Sequence, residues 1–199
     1  MEDTPVVLQY GFTELVGAKV HNVKIEETDL GNVGYFNGRD AYVSFLDTEL
    51  YNVRGNMCIS VWLMPEYAKR DNYSRIVAKR EGWDVPSGYE LEINTMLGRL
   101  NISGAVKQAS DQGIIKHDFD TTWHHYLACL CDTGAVFYID GALAGYDSKA
   151  ARAASSPVAL TLGAAPDKSS FFMGHMRNLT IINRAVSAEE ARSLYEGKW

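Results

Sequence analysis

The chain has 199 residues, of which 46% are hydrophobic and 22% are charged, a composition typical of a globular domain. Its mild net charge of −6 and its lack of a Lys/Arg run exclude the basic stripe of a nucleic-acid-binding protein. No apolar run approaches the roughly 20 residues that cross a bilayer, so we expect no membrane insertion.

The N-terminus and the cysteines bear on the cellular compartment. The first residues, MEDTPVVLQYGF, lack the basic and apolar regions of a secretory signal. The three cysteines are Cys58, Cys129 and Cys131. Because an odd number without framework spacing argues against a disulfide-stapled domain, the sequence predicts free, buried thiols.

Short runs of strand type recur along the chain, separated by Gly, Asp, Asn and Pro. They are VVLQYGF, AYVSF, CISVWLMP, RIVAKR, YELEI, RLNISG, HHYLACLC, AVFYIDG, VALTLG and MRNLTII. Only the end is helical in character, where the capping box Ser187–Glu190 precedes Ala191, Leu194 and Tyr195 at helical spacing. The pattern predicts an all-β sandwich or jelly roll with a short C-terminal helix, formed by residues 1–199 as a single domain.

The stretch WHHYLACLCDTGAVFYIDG, from Trp123 to Gly141, concentrates histidines and thiols. Strand alternation places His124 and His125 on opposite faces, so they cannot both ligate one metal ion from this strand. Cys129 and Cys131 share a face but lie roughly 7 Å apart, too far for an unstrained disulfide with each other. Since Asp140-Gly141 is a hairpin signal, the stretch is interpreted as a β-meander and not as a metal site.

The same segments resemble laminin-G-like and pentraxin-like domains of the concanavalin A-like lectin/glucanase superfamily. The likeness lies in Leu8–Phe12, Tyr35–Phe45, Cys58–Pro65, the Trp-His-His strand with its Tyr-Ile-Asp-Gly turn, and Phe171–Tyr195. This resemblance implies a concanavalin A-like jelly-roll β-sandwich of two antiparallel sheets. Function does not follow from that fold, which lectins, adhesion modules, glycosidases and lyases share.

The resemblance to glucanases directs attention to YELEIN, the segment closest to a Glu-x-Asp-x-Glu pattern. Glu90, Glu92 and Asn94 share one strand face, but the amide of Asn94 cannot act as acid or base. A retaining glycosidase needs two carboxyl groups about 5–5.5 Å apart. Amphipathic alternation explains both glutamates equally well, with the acids in water. We therefore expect no enzymatic activity, with a glycan-cleaving enzyme as the lesser alternative.

Many related domains hold a structural calcium ion, for which acidic ligands are needed. Here Asn37 and Arg177 stand where the resemblance implies acids. We expect this site to be lost, with Arg177 tying the two segments together by hydrogen bonds and no cofactor bound. A modified calcium site near Asn37, Asp40 and Arg177 remains an alternative.

A binding function directs attention to aromatic residues in polar loops, since aromatic rings and Arg are frequent in recognition sites. The candidate ligand-binding residues are Trp83, Asp84, Tyr73, Tyr67 and Arg70, in the loops KREGWDVPSGYE and PEYAKRDNYSR. The two loops flank the strand RIVAK and form one site only if curvature or loop length brings them together. Trp62 and Trp123 lie inside strand runs and are expected in the core.

Two classes of function follow. The first is a non-catalytic adhesion module that recognises surface glycans, expected outside cells or on a phage or viral particle. The second is a structural or capsid-decorating jelly roll that binds other protein subunits and no sugar. A loop-end aromatic cluster favours the first class, and an apolar outer strand face favours the second. Because the strands YELEIN and RLNIS alternate with polar residues and give no long apolar outer face, the sequence favours glycan recognition.

Overall fold

The computed structural model describes residues 6–14, 16–67, 72–82, 84–105 and 111–198. Its strands are β1 Val6–Tyr10, β2 Ala18–His21, β3 Lys24–Thr28, β4 Gly31–Asn37, β5 Tyr42–Phe45, β6 Met57–Pro65, β7 Ser74–Lys79, β8 Tyr89–Asn94, β9 Arg99–Ser103, β10 Gly113–Lys116, β11 His124–Cys131, β12 Gly134–Ile139, β13 Ala142–Asp147, β14 Leu160–Leu162 and β15 Met173–Ile182. A 3₁₀ turn covers Glu49–Tyr51, and the helix α1 covers Ala188–Tyr195. Within these ranges no helix is long and apolar enough to cross a membrane.

The strands form two antiparallel sheets, as expected for a jelly-roll sandwich. Sheet 1 has the order β13-β12-β11-β6-β15-β4-β3, with β1 paired to β15, and sheet 2 has the order β10-β9-β8-β7-β14-β5-β2. Strand β15 pairs with β6 on one side, and with β4 and then β1 on the other. Its register to β6 shifts between Arg177 and Thr180, where Asn178 has a φ of 51°. The all-β prediction is confirmed.

The core lies between the sheets and follows strand alternation. In β6 the inward side chains are Ile59, Val61 and Leu63, and β11 contributes Tyr126 and others. Large aromatic residues from both sheets fill the centre of the sandwich, namely Tyr10, Phe12, Phe36, Phe45, Tyr89, Phe137 and Phe172. Burying these side chains is the main favourable contribution to the free energy of folding.

The outer face of sheet 1 carries a second apolar cluster, covered by α1. It consists of Cys58, Leu127, Cys129, Tyr138 and Ile182 from the sheet, with Ala191 and Leu194 from the helix. The capping box is confirmed: Ser187 Oγ accepts from the Glu190 amide, and the Glu190 carboxylate accepts from the Ser187 amide. Sheet 1 is therefore buried on both faces where the helix lies.

The expectation of free thiols is wrong for two of the three cysteines. Cys58 in β6 lies directly opposite Cys129 in β11, with their Cα atoms 4.0 Å apart, and the two form a disulfide. Cys131 remains free. The sequence does not indicate this pairing, because the bonded cysteines are 71 residues apart and meet only when β6 and β11 become neighbours.

We expect the double variant Cys58→Ala/Cys129→Ala to lose about 2–4 kcal/mol of unfolding free energy, the usual effect of removing a native disulfide. Urea unfolding without reductant measures the loss, and Cys131→Ser is the matched control. Thiol titration of the unreduced, unfolded chain is expected to detect Cys131 alone. Three reactive thiols would contradict the disulfide.

The two histidines of β11 point in opposite directions, as the alternation predicts. His124 contacts Asp140 (Nδ1 to Oδ2, 2.6 Å) and Asp120 (Nε2 to Oδ2, 3.3 Å). The other Asp140 oxygen accepts from the His125 amide at 2.9 Å, which ties the β12–β13 turn to β11. Burial disfavours the charged imidazolium, but its hydrogen bonds to the carboxylates of Asp140 and Asp120 outweigh burial and raise the pKa of His124.

This raised pKa makes part of the stability depend on pH. A histidine whose folded pKa is raised stabilises the fold below its unfolded pKa of about 6.5, and this stabilisation is lost as pH rises through the folded pKa. We expect His124→Gln to lower the unfolding free energy more at pH 5 than at pH 8, measured by urea unfolding. Asp140→Asn should show a similar trend, and equal losses at the two pH values would contradict the assignment.

Candidate functional site

The outer face of sheet 2 is polar but shielded from water. We call this the sheet-2 polar face; its members are Arg75, Arg80, Glu90, Glu92, Asn94, Asn101 and Ser103, all of them buried except the partly exposed Arg75. They alternate along β7, β8 and β9 with core residues such as Leu91 and Ile102. Buried charges are stable only when paired, so the pairing within this face determines its structure.

Two arginines and two glutamates form one connected network on this face. Arg75 Nε lies 2.9 Å from Glu90 Oε2, and Arg75 Nη1 contacts Glu92 Oε2. Arg80 Nη1 donates to Glu90 Oε1 at 2.9 Å, and Asn101 Nδ2 donates to Glu92 Oε1 at 2.8 Å. Burial lowers the pKa of Arg80, and the charge of Glu90 partly offsets that effect. Each carboxylate thus contacts at least one guanidinium.

The expectation that Glu90 and Glu92 face water is wrong, since the two residues are 3% and 2% exposed. Alternation identified their face correctly but carries no information on whether that face is covered. Arginines on the adjacent strand compensate the buried charge. The contacts to Arg75, Arg80 and Asn101 engage carboxylate oxygens that a glycosidase would direct at its substrate.

A pocket of about 200 Å³ opens at one edge of the sheet-2 polar face. Arg75, Arg80 and Glu90 line it together with Glu81, Gly82 and all residues of the segment 165–170 except Lys168. That segment is a tight turn: the Lys168 amide donates to the Ala165 carbonyl, and the Ser170 carbonyl accepts from the Arg75 amide at 2.9 Å. The pocket therefore combines fixed charged groups with backbone and hydroxyl groups.

The candidate residues from the sequence lie at several places. Tyr73 is at one end of the sheet-2 polar face, where its hydroxyl accepts from Arg99 Nη1 at 2.8 Å. Asp84 is exposed near the other end, and its charge raises the pKa of Arg80 in opposition to burial. Tyr67 is exposed and lines a separate small cleft with Phe172. Trp83 and Arg70 lie outside the described residues.

The expected role of Arg177 is also corrected. Asn37 organises its own turn, because its Oδ1 accepts from the amides of Arg39, Asp40 and Ala41 and its Nδ2 donates to Asp40. In the sheet Asn37 lies opposite Met173, whereas Arg177 lies opposite Trp62. Arg177 is thus four residues further along β15 and does not tie the segments together.

Over the described residues no group of three or more His, Cys, Asp or Glu side chains is suited to a metal ion.

Trp62 and Trp123 are not core residues, contrary to the expectation. Ile59, Val61 and Leu63 occupy the inward positions of β6, so the indole of Trp62 lies on the outer face of sheet 1. Both tryptophans are partly exposed and flank the guanidinium of Arg177. The alternation within CISVWLMP was the signal that would have placed Trp62 outside.

Comparison with known proteins identifies the fold independently. A family model described as the concanavalin A-like lectin/glucanases superfamily, of laminin G type, matches residues 37–192. No curated protein sequence matches the chain.

Solved structures share the fold at low sequence identity. Domain 4 of AbnA, an arabinanase from Geobacillus stearothermophilus solved with arabinotriose, has a TM-score of 0.70 and 14% identity over 96% of this chain and 98% of that chain. The binding domain of botulinum neurotoxin serotype G has a TM-score of 0.72 and 15% identity over 97% of this chain and 51% of that chain. The serotype D ligand-binding domain of botulinum neurotoxin, in complex with N-acetylneuraminic acid, has a TM-score of 0.68 and 16% identity over 91% of this chain and 46% of that chain. This chain therefore spans about half the length of the toxin structures.

We expect Arg80→Met to lower the unfolding free energy by about 3 kcal/mol or more, because it removes one of the two guanidinium groups that compensate the buried charge of Glu90. Arg54→Met is the matched control, because its pair with Glu49 is exposed and contributes little to stability. Urea unfolding measures both variants. Adding Glu90→Gln to Arg80→Met should recover part of the loss, and equal effects of Arg80→Met and Arg54→Met would contradict the network.

Proposed function

The chain belongs to the laminin G-like family of the concanavalin A-like lectin/glucanase superfamily, and on this basis we propose that it is a non-catalytic glycan-recognition module. Its recognition site is the pocket at the edge of the sheet-2 polar face. The observation that carries this proposal is the arrangement of Arg75, Arg80 and Glu90, which line the pocket while held by one another. Polar groups held in place before the ligand arrives lose little conformational entropy on binding.

The pocket suits a hydroxylated ligand. Guanidinium groups donate to hydroxyl oxygens, carboxylates accept from hydroxyl hydrogens, and Ser169 and Ser170 add groups that do both. Two structural neighbours were solved in complex with arabinotriose and with N-acetylneuraminic acid, which supports a saccharide as the ligand class. We propose that Asp84 and Tyr73 contribute at the two ends of the face, and that Trp83, from the same loop as Asp84, adds an aromatic surface.

A binding role is favoured over catalysis by the state of the glutamates. Glu90 contacts Arg75 and Arg80, and Glu92 contacts Arg75 and Asn101, so their carboxylate oxygens are engaged within the protein. A glycosidase needs one carboxyl group as an acid and a second as a nucleophile or base. The network instead holds both glutamates as fixed acceptors.

We further propose that residues 1–199 form one domain, because both sheets share one core. An extracellular location fits glycan recognition. The role on a phage or viral particle, and the alternative of a jelly roll that binds protein subunits, stay predictions from the sequence, since none of the similar structures described above is a virion component.

The test is a pair of glycine substitutions on an otherwise unchanged chain. Gly82 lines the pocket, and a Cβ there would meet its neighbours at ordinary distances of 3.4 Å or more. Gly82→Tyr is therefore expected to fold normally and to fill the pocket, lowering glycan affinity at least about tenfold, or about 1.4 kcal/mol. Gly11→Tyr is the matched control, because a Cβ at Gly11 meets no atom within 4 Å.

Binding is measured on a glycan array that includes arabinan oligosaccharides and sialylated glycans, followed by calorimetry with the best binder. The same glycans are incubated with the protein and analysed for cleavage, which we expect to be absent. Loss of binding in Gly82→Tyr but not in Gly11→Tyr supports the proposal. Equal affinity of wild type and Gly82→Tyr, cleavage of the bound glycan, or no glycan bound by the wild type would contradict it.

A further inference from the structure

A second pocket lies on the opposite side of the sandwich, on the outer face of sheet 1. We call it the Arg177 pocket; it has a volume of about 400 Å³ and is lined by Gln9, Ser60, Trp62, His125, Arg177, Asn178, Thr180 and the segment 194–197. The register of the sheet produces it, because Arg177, Trp62 and His125 are direct neighbours across β15, β6 and β11. The irregular pairing of β15 after Arg177 and the end of α1 form its border.

The guanidinium of Arg177 is held between two indoles. Its Cζ lies 4.3 Å from the ring centroid of Trp62 and 5.2 Å from that of Trp123. Tyr195 stacks with Trp62 at a centroid distance of 5.5 Å and an interplanar angle of 23°. A guanidinium whose faces are covered by rings has its N–H edge left for hydrogen bonding, and that edge matches an oxyanion.

Arg177 lacks an acidic partner among the residues that the structure describes. It is only 8% exposed, and its Nε is buried without a hydrogen-bond partner. Burial alone accounts for the lowered pKa of Arg177, with no carboxylate acting in the opposite direction. A buried cation without a counter-charge is costly, and cation–π contacts replace only part of the lost hydration.

A second buried group of the pocket has an open hydrogen-bonding position. His125 is 1% exposed; its Nε2 bonds to Ser60 Oγ at 2.8 Å, and its Nδ1 has no partner among the described residues. Burial lowers the pKa of His125 to about 4; the charge of Asp140 opposes this shift and the charge of Arg177 adds to it, so the ring is neutral at pH 7. Arg177 and His125 thus offer a charged and a neutral group to one ligand.

The carboxylate in the pocket wall does not supply the missing charge. Glu196 accepts from Arg192 Nε at 2.9 Å and also bonds Lys198 Nζ, so two cations on α1 and its C-terminal end already neutralise it. Among the residues that line the pocket, only Arg177 and Glu196 carry a charge, and the charge of Arg177 is the one left without a partner. The electrostatic field therefore favours an anion.

We propose that the Arg177 pocket is a second binding site, which takes the carboxylate or sulfate group of an acidic saccharide. The unpartnered guanidinium edge receives the oxyanion, and the uncharged groups Gln9, Asn178 and Thr180 are available to sugar hydroxyls. A pocket of this volume accommodates more than a bare ion. The site lies on the other sheet from the pocket at Gly82, so the two proposals succeed or fail independently.

The experiment titrates the full chain with glucuronate, glucose 6-sulfate, glucose and inorganic sulfate at constant ionic strength, following tryptophan fluorescence and calorimetric heat. We expect at least one acidic sugar to bind ten times or more tighter than glucose and than inorganic sulfate. The preferred sugar distinguishes a carboxylate site from a sulfate site.

Arg177→Gln and Arg177→Lys should each lose at least tenfold in affinity. Gln removes the charge, and Lys keeps the charge but not the planar fork of the guanidinium. Arg54→Gln, which removes a surface charge that does not line the pocket, and Gly82→Tyr are the controls and should retain binding.

A nuclear magnetic resonance titration of the wild type needs no substitution and keeps the test valid if an Arg177 variant fails to fold. The indole N–H signals of Trp62 and Trp123 are expected to shift with the acidic sugar. Three results would each overturn the proposal: no binding of either acidic sugar, equal binding of glucose or inorganic sulfate, or unchanged affinity in the Arg177 variants.

Discussion

The buried ion pairs of sheet 2 are the constraint on which the candidate site depends. Glu90 and Glu92 lie on the outer face of β8, and Arg75 and Arg80 on or beside β7 hold them. Taking these charges out of water is costly, so the pairs contribute little net stability. They do make the arrangement specific, because removing any one member leaves a buried charge less compensated. The same mutual restraint fixes the polar groups that line the pocket.

The two sheets illustrate two ways to shield an outer face. On sheet 1 the helix α1 packs Ala191 and Leu194 onto an apolar patch that contains the Cys58–Cys129 disulfide. On sheet 2 the side chains are charged and neutralise one another. The Arg177 pocket lies where the apolar cover of sheet 1 ends. At this position the guanidinium is stacked on rings and has no acidic partner in the part of the chain that the structure describes.

The alternation of apolar residues predicted most of the strands, the orientation of β11 and the all-β class. This is possible because every second side chain of a strand points to the same face, so a buried face gives an apolar residue at every second position. The capping box predicted the start of α1 for an equally local reason. Properties that depend on neighbours distant in sequence were missed. The disulfide needs β6 beside β11, and the burial of Glu92 needs Arg75 and Asn101 from adjacent strands. The outward position of Trp62 depends on Arg177 and Tyr195, which pack against its ring from distant parts of the sequence.

Glycan recognition is proposed for the pocket at the edge of the sheet-2 polar face. Nuclear magnetic resonance mapping of a bound glycan on isotope-labelled protein tests it most directly. We expect the amide signals of Gly82, Ser169 and Ser170 and the guanidinium signals of Arg80 to shift together during the titration. Shifts confined to other surfaces, with these signals unmoved at saturation, would contradict it.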